Sequence, residues 1–242
     1  MSLGPLEQFE VKSLIDFFIG DYDLSLTNSA VMMGVAVLSI VVFLVFALKK
    51  NNIIPTKLQM LAEISYDFVR NIAKENIGDE KYFKFFPFIY SMFMFFLIGN
   101  LLGNIPYSFS FTSQAIITVF MAVFVLVIGT FYGIYCHGIK FFKIFYPEGI
   151  PLILAPLIIP SEIISYFAKA LSMGIRLFAN MVAGHLMLEI FSGFIIALGI
   201  FGIFPLGINV ALIGLELFMA VLQAYIFTVL SCIFIGEVVN LH

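Results

Sequence analysis

Charged residues are scarce in this sequence, and their scarcity excludes most soluble folds. Asp, Glu, Lys and Arg make up only 11% of the 242 residues, whereas hydrophobic residues make up 62%. Soluble globular domains carry roughly 25% charged residues. Tryptophan is absent, so the 10 tyrosines must supply the aromatic side chains that membrane proteins place at the lipid–water boundary. The composition therefore predicts an integral membrane protein.

Signals of several other protein classes are also missing. No tract of basic residues that would bind nucleic acid is present, and the formal net charge is only −3. Cys136 and Cys232 stand alone, without the paired spacing of a metal site or a disulfide framework. The sequence also lacks a Gly-Lys phosphate-binding motif. We expect no nucleic-acid partner, no metal or cofactor, and no catalytic site in this chain.

Long apolar runs predict membrane-spanning helices. A span needs about 20 apolar residues, and the segments that reach this length are residues 29–48, 85–103, 113–135, 161–197 and 206–240. The last two exceed a perpendicular span, and a short connection rich in Gly and Pro separates them. We predict that they form a long, strongly tilted antiparallel hairpin. The expected fold is all-α, with five spans in a single membrane domain covering residues 1–242.

Three further segments lie outside these spans. Residues 1–28 carry acidic side chains and lack the features of a signal peptide, so we predict an arm on the outer side. Residues 56–77 place apolar side chains at helical spacing, which predicts an amphipathic helix on the inner membrane surface. A solvent-exposed helix docked on a partner is the alternative. Prolines concentrated in residues 147–160 predict a re-entrant or broken segment.

The placement of Lys and Arg predicts the orientation. The loop over residues 49–84 is rich in basic residues, and Lys140 and Lys143 follow on the same side, whereas the opposite loops have none. Basic residues are enriched on the inner side of membrane proteins. We therefore place the N-terminus outside and the C-terminus inside.

A permanent positive charge, Arg176, lies within an apolar span. An arginine at the bilayer centre costs roughly 2.5–3.5 kcal/mol on insertion scales. Because a guanidinium stays protonated in proteins, it requires a water-filled cavity or a carboxylate beside it. A structural salt bridge to Glu162, Glu189 or Glu216 is the alternative to a functional charge.

Other polar residues follow the same helix. Glu162, Lys169 and Arg176 are seven residues apart, a spacing that drifts by only about 20° per step. Asn180 stays on this face, and Ser172 lies beside it, whereas His185 belongs to a different surface that Glu189 could share. Snorkelling toward the inner surface is the alternative for Lys169, and interaction with the helix dipole is the alternative for Glu162.

The final helix adds Glu216 and Gln223, which are also seven residues apart. If Gln223 is level with Arg176 in an antiparallel pair, Glu216 is level with residues 183–185, roughly 10–13 Å farther out at about 1.5 Å per residue. The outer half of the pair then carries His185, Glu216, Asn180 and Gln223. The inner half carries Glu162, Ser165, Lys169 and Ser172. We expect Asn100 and Asn104, on an earlier span, to satisfy backbone or helix-contact hydrogen bonds.

Arg176 would divide these two polar half-paths. A fixed guanidinium repels hydronium, as arginines do in water pores, and it cannot relay a proton itself. Passage of protons then needs an external carrier, and a mobile carboxylate that ionises beside Arg176 would serve. The pattern predicts a stationary subunit that serves a moving proton carrier.

Residues 174–181 (GIRLFANM) and 222–227 (LQAYIF) resemble subunit a of F-type ATP synthases. Residues 5–9 and 105–109 are similar to the mitochondrial forms. The resemblance implies that Arg176 is the essential arginine that faces the carboxylate of the rotor c ring. It implies that the outer half-channel is lined by Asn180, His185, Glu216 and Gln223, and that Glu162 lines the inner one. Glu189 matches no motif of the family, and its role is open.

The same resemblance implies which partners the chain has and in which membrane it lies. The expected partners are the c ring, the peripheral stalk and other membrane subunits, within a lipid bilayer. The expected location is the mitochondrial inner membrane, with the N-terminus in the intermembrane space, or alternatively a bacterial plasma membrane. A self-contained cation or proton transporter is the competing function. Such transporters usually contain internal repeats, and we find no convincing repeat between the two halves.

Overall fold

The computed structural model describes residues 13–15, 18–19, 22–23, 25–49, 55–105, 108–138, 141, 144 and 155–239. Six α-helices account for most of them. In chain order they are α1 (Asn28–Leu48), α2 (Lys57–Ile77), α3 (Tyr82–Gly103), α4 (Ala115–His137), α5 (Ala155–Leu198) and α6 (Ile203–Val239). Four apolar helical stretches are long enough to cross a membrane, and the fourth, Pro156–Val239, contains both α5 and α6. The prediction of an all-α membrane protein is confirmed.

Short strands precede the first helix. Strand β1 (Ser13–Ile15) pairs antiparallel with β4 (Leu26–Thr27), and β2 (Phe18–Ile19) pairs antiparallel with β3 (Tyr22–Asp23). The side chain of Thr27 accepts a hydrogen bond from the amide of Ala30 and so caps the N-terminus of α1. The sequence pattern did not predict these strands. Much of the predicted outer arm, including residues 1–12, lies outside the described residues.

The centre of the bundle is formed by α3 and α6. Phe96 of α3 and Phe227 of α6 are almost completely buried, and their ring centroids are 4.2 Å apart. Helix α5 packs against both α4 and α6, whereas α1 and α2 contact α3 on the other side. This arrangement buries one side of α5 within the bundle and leaves its other side open.

The start of α5 differs from the prediction. Residues 147–160 were expected to form a broken segment, but α5 already begins at Ala155 and contains Pro160. Pro156 lies in the first turn, where the amide groups have no partner in the helix, and Pro160 removes only one hydrogen bond, so both are tolerated. Pro147 and Pro151 lie outside the described residues. Glu162 consequently lies beyond the first turn, where the helix dipole acts most strongly, and this weakens the helix-dipole alternative.

The turn between the last two helices follows the predicted Gly-rich connection. Gly199 has a φ of +54°, a backbone conformation that glycine adopts without steric cost. The short 3₁₀ turn Gly199–Gly202 reverses the chain, and α6 begins at Ile203, three residues earlier than predicted. The pair is therefore an antiparallel hairpin.

Helix α2 has an apolar face that the bundle does not cover. Leu58, Leu61 and Ile64 are each about half exposed, whereas Val69 and Ala73 are fully buried against the bundle. Ile72 on the same helix is also buried. An uncovered apolar face beside charged side chains supports contact with the membrane surface, which remains a prediction.

Two basic side chains contact the C-terminal end of α6. Lys81 Nζ donates a hydrogen bond to the carbonyl oxygen of Val239 at 3.1 Å, and His137 Nε2 lies 3.3 Å from the same oxygen. Basic groups are favourable at a helix C-terminus because unpaired carbonyls give it a partial negative charge. These contacts fix the last turn of α6 against the start of α3 and the end of α4.

Gly174 sets the distance between α5 and α4. A Cβ atom at this position would lie 2.7 Å from the Cα of Val119 and 2.8 Å from the carbonyl oxygen of Thr118, both of which are backbone atoms. Because backbone atoms cannot rotate away as a side chain can, Gly174→Ala is expected to push the two helices apart and displace Arg176, two residues later. We expect a lower thermal unfolding temperature of the chain. An unchanged temperature would contradict this packing; Gly193→Ala, where a Cβ meets no atom within 4 Å, is the matched control.

Candidate functional site

Arg176 lies on the open side of α5. The side chain is exposed, as are the small residues Ser172, Ala179 and Ala183 near it along the helix. Met173, Leu177 and Met181 lie on the opposite side and are buried in the bundle. Among the described residues, the salt bridges include none to Arg176. The predicted alternative of an internal ion pair therefore has no support in the part of the chain that the structure describes.

A cavity of about 240 Å³ lies between α5 and α6, on the side of Arg176 that leads to the turn between the two helices. Three of the predicted polar residues, Asn180, Glu216 and Gln223, line it together with apolar side chains. Glu216 and Gln223 are 8% and 4% exposed, so their polar atoms are largely removed from bulk solvent. The hairpin thus brings these residues around one space, as the heptad spacing predicted.

His185 joins this group through Glu216. Its Nδ1 forms a short contact with the Glu216 carboxylate, and its Nε2 lies 3.2 Å from the carbonyl oxygen of Gly103. The predicted level of Glu216, beside residues 183–185, is confirmed by this contact. The third helix, α3, contributes the carbonyl and was not part of the prediction.

The hydrogen bonds of His185 determine where its protons lie. A carbonyl oxygen only accepts hydrogen bonds, so Nε2 must carry a proton toward Gly103. Nδ1 then shares a further proton with Glu216, held either as a carboxylic acid beside a neutral imidazole or as a carboxylate beside an imidazolium. The two forms have the same total charge. The geometry therefore allows a proton to move between the carboxyl group and the imidazole along this hydrogen bond.

Gly184 provides the space for the Glu216 side chain. A Cβ atom at residue 184 would lie 2.8 Å from Glu216 Oε1. The absence of a side chain at this position lets the carboxylate lie against the backbone of α5. A glycine next to His185 is therefore required by the packing of the Glu216 side chain against α5.

An ion pair lies on the other side of Arg176, toward the N-terminus of α5. Lys169 Nζ lies 3.0 and 3.1 Å from the two carboxylate oxygens of Glu237, and both side chains are roughly half exposed. They line a second cavity of about 160 Å³, bounded by α4, α5 and α6. Glu237 was not among the predicted site residues. Its position in α6 could have served as a signal. If Glu216 is level with residue 185 in an antiparallel pair, then Glu237, farther along α6, is level with the N-terminal part of α5.

Three further predicted residues, Glu162, Ser172 and Glu189, lie along α5. Glu162 is half-buried near the N-terminus of the helix, and Ser172 is exposed between Lys169 and Arg176. Glu189 is half-buried, one turn beyond His185 toward the C-terminus of the helix. None of these three lines either of the two cavities just described.

The sequence matches one protein family and is similar over its whole length to individual proteins of bacteria. Residues 29–236 match the family described as ATP synthase A chain. ATP synthase subunit a of Rhodospirillum rubrum is 42% identical over 240 residues, which cover 99% of each chain. The subunit a of Pelagibacter ubique is 43% identical over 244 residues, covering 100% of each chain, and that of Rhizobium leguminosarum is 43% identical over 249 residues, covering 99% of this chain and 98% of the other.

Proposed function

The chain belongs to the ATP synthase A chain family, and we propose that it is the stationary subunit that passes protons to and from a carboxylate on a rotating c ring. Family membership makes it a subunit of the proton-translocating membrane sector. The finer proposal assigns Arg176 as the charge that separates two half-channels. ATP chemistry would then take place on other subunits.

The exposed guanidinium of Arg176 is the observation that carries this proposal. It lies on an apolar helix, on the side that the bundle leaves open, beside the small residues Ser172, Ala179 and Ala183. Small residues allow another helix to approach closely, and a positive charge within the membrane requires a negative partner or water. A rotor helix that carries a carboxylate satisfies both conditions.

The polar groups on either side support two separate half-paths. On the outer side, the His185–Glu216 pair and the cavity lined by Asn180 and Gln223 can bring a proton toward the level of Arg176. On the inner side, Lys169, Glu237 and the second cavity lie beyond Arg176, with Glu162 farther in. Hydronium cannot pass the guanidinium. A carboxylate that moves past Arg176 would be deprotonated there and would take up a proton from one half-path before releasing it to the other.

The partners and the location follow as proposals. The c ring would cover the open face of α5, and the peripheral stalk and other membrane subunits would cover other parts of the bundle. The relatives named above are bacterial proteins, which favours a plasma membrane over the mitochondrial inner membrane predicted from the sequence. An N-terminus on the outer side remains a prediction from the basic loops.

Reconstitution separates this function from a self-contained transporter. We expect liposomes with the purified chain alone to conduct protons no faster than empty liposomes under an imposed pH gradient. Addition of the c ring should allow conduction, because its mobile carboxylate then carries protons between the two half-paths. A pH-sensitive dye inside the liposomes measures the rate. Conduction by the chain alone would support the transporter alternative and overturn the proposal.

A further inference from the structure

The cavity beside Glu216 has a wall of methionine and other apolar side chains. Of the described residues that line it, Asn180, Glu216 and Gln223 have polar side chains, whereas the others include Met181 and Met219. A thioether sulfur is soft and only a weak hydrogen-bond acceptor, and hard cations such as Na⁺ and Li⁺ bind oxygen. The wall therefore offers a metal cation few of the ligands that it would need to leave water.

The three polar side chains lie at different levels of the hairpin. Glu216 and Gln223 are seven residues apart on α6, which is about 10 Å at about 1.5 Å per residue. Because His185 is in contact with Glu216, Asn180 is level with residue 221 of the antiparallel helix, about 7 Å from the level of Glu216. Ca²⁺ takes about six to eight oxygen ligands at about 2.3–2.6 Å, and Na⁺ has a similar radius. An ion beside Glu216 therefore meets thioether and alkyl groups around most of its surface.

The Glu216 carboxylate is itself occupied. Its Oε1 contacts His185 Nδ1, and the side chain lies against Gly184, where a Cβ atom would be 2.8 Å from the same oxygen. A proton shared between the imidazole and the carboxyl group needs no further ligands and leaves the pair without net charge. A metal cation would have to replace this proton, and it would then find a ring nitrogen in place of the several oxygens that it requires.

Helix α3 fixes the level of Met219. The Asn100 side chain is completely buried, and its Nδ2 donates a hydrogen bond of 3.1 Å to the carbonyl oxygen of Ala220, the residue after Met219. This contact confirms the helix-contact hydrogen bond expected for Asn100. The same expectation is wrong for Asn104, whose Oδ1 and Nδ2 are buried without a hydrogen-bond partner among the described residues. Met219 follows Glu216 by one helical turn, so the two side chains share a face of α6.

We propose that Met219 and the His185–Glu216 pair make the outer half-path selective for protons over metal cations such as Na⁺ and Li⁺. Met219 is a specificity-determining residue, because it keeps oxygen out of the space between Glu216 and Gln223. A proton is held at the pair by two atoms, whereas a metal cation would lose its water without gaining ligands, which is costly for a charge in an apolar space. The inference rests on the proposed function and adds the residues that decide which ion enters.

The test replaces Met219 with glutamine in the complete ATP synthase, reconstituted in liposomes. Glutamine is close to methionine in length and adds an amide oxygen one turn from Glu216 and one turn from Gln223, so a metal cation gains a ligand between two existing ones. Rates of proton-driven ATP synthesis are measured under a constant pH gradient, with either sodium chloride or choline chloride on the outer side. We expect equal rates in the two salts for the unmodified complex. Met219→Gln should be roughly tenfold slower in sodium chloride, the effect of one added contact to a charged group.

Met219→Leu and Met60→Gln are the matched controls. Leucine keeps the wall apolar and changes its shape only slightly, so the rates in the two salts should stay equal. Met60 is an exposed residue of α2, and the same exchange there should have no effect. Met187→Gln, on the α5 side of the cavity, is a second variant that should become slower in sodium chloride. Met187 is 46% exposed, so this position accepts a polar side chain without loss of packing.

The outcomes separate the inference from the proposed function. Equal rates in the two salts for both Met219→Gln and Met187→Gln would overturn the inference. So would a sodium dependence of Met219→Leu, or of the unmodified complex, as large as that of Met219→Gln, because an added oxygen would then not be the cause. If Met219→Gln does not assemble, Met187→Gln decides alone. If the unmodified complex makes no ATP under a proton gradient in either salt, the proposed function itself fails.

Discussion

Replacing Arg176 with alanine is expected to abolish coupled proton transport while leaving the subunit assembled. The side chain is exposed and has no salt bridge among the described residues, so its loss removes little packing from the bundle. What is lost is the positive charge that keeps a passing carboxylate ionised and keeps hydronium from crossing between the half-paths. ATP-driven acidification of inverted vesicles, followed with a pH-sensitive dye, should fall to background.

Arg176→Lys and Leu177→Ala provide the controls for this variant. Lysine keeps a positive charge, but it is a compact ammonium that loses its proton more readily when buried, so we expect transport that is reduced but measurable. Leu177 is 1% exposed on the opposite face of α5, and its truncation should lower the unfolding temperature more than it changes coupling. Normal acidification by Arg176→Ala in an assembled complex would contradict the assignment of this residue.

Replacing Glu216 with glutamine is expected to slow proton passage through the outer half-path roughly a hundredfold, the lower range for loss of a proton-transfer group. Glutamine can still form a hydrogen bond with His185 Nδ1 and fits the space beside Gly184. It cannot take up or release a proton, so the exchange between the carboxyl group and the imidazole stops. Rates of proton-driven ATP synthesis measured over a range of outer pH check this expectation.

Glu216→Asp is the matched variant, because it keeps the carboxyl group and shortens the side chain by one methylene. It should retain part of the rate, whereas Glu216→Gln should not. Equal rates for the unmodified chain and Glu216→Gln at every pH would rule out proton relay through this residue.

The parts of the site that follow helical periodicity could be predicted from the sequence. Heptad spacing on two neighbouring helices was enough to place Glu216 level with His185, because a short connection forces the helices to be antiparallel and fixes which levels meet. The apolar runs likewise identified the membrane helices. Their ends were less accurate, as Pro160 shows: proline is unfavourable within a helix, but it is tolerated near the N-terminus.

The parts that depend on contacts across the bundle could not be predicted. The level of Glu237 along α6 was predictable from the antiparallel pairing, but its contact with Lys169 was not, because that contact depends on how α6 packs on α5. The position of Gly103 beside His185 depends on how α3 crosses the hairpin. Spacing along one helix gives no information on that crossing, and so the contact of α3 with His185 was missed.

A high-resolution map of the assembled complex with its rotor tests the central claim most directly. The account predicts the Arg176 guanidinium at the rotor interface, facing a carboxylate of the ring, with ordered water reaching it from His185 and Glu216 on one side and from Lys169 and Glu237 on the other. It predicts no continuous file of water past the guanidinium. A guanidinium turned toward lipid, or a water file that runs unbroken from the outer to the inner side, would contradict it.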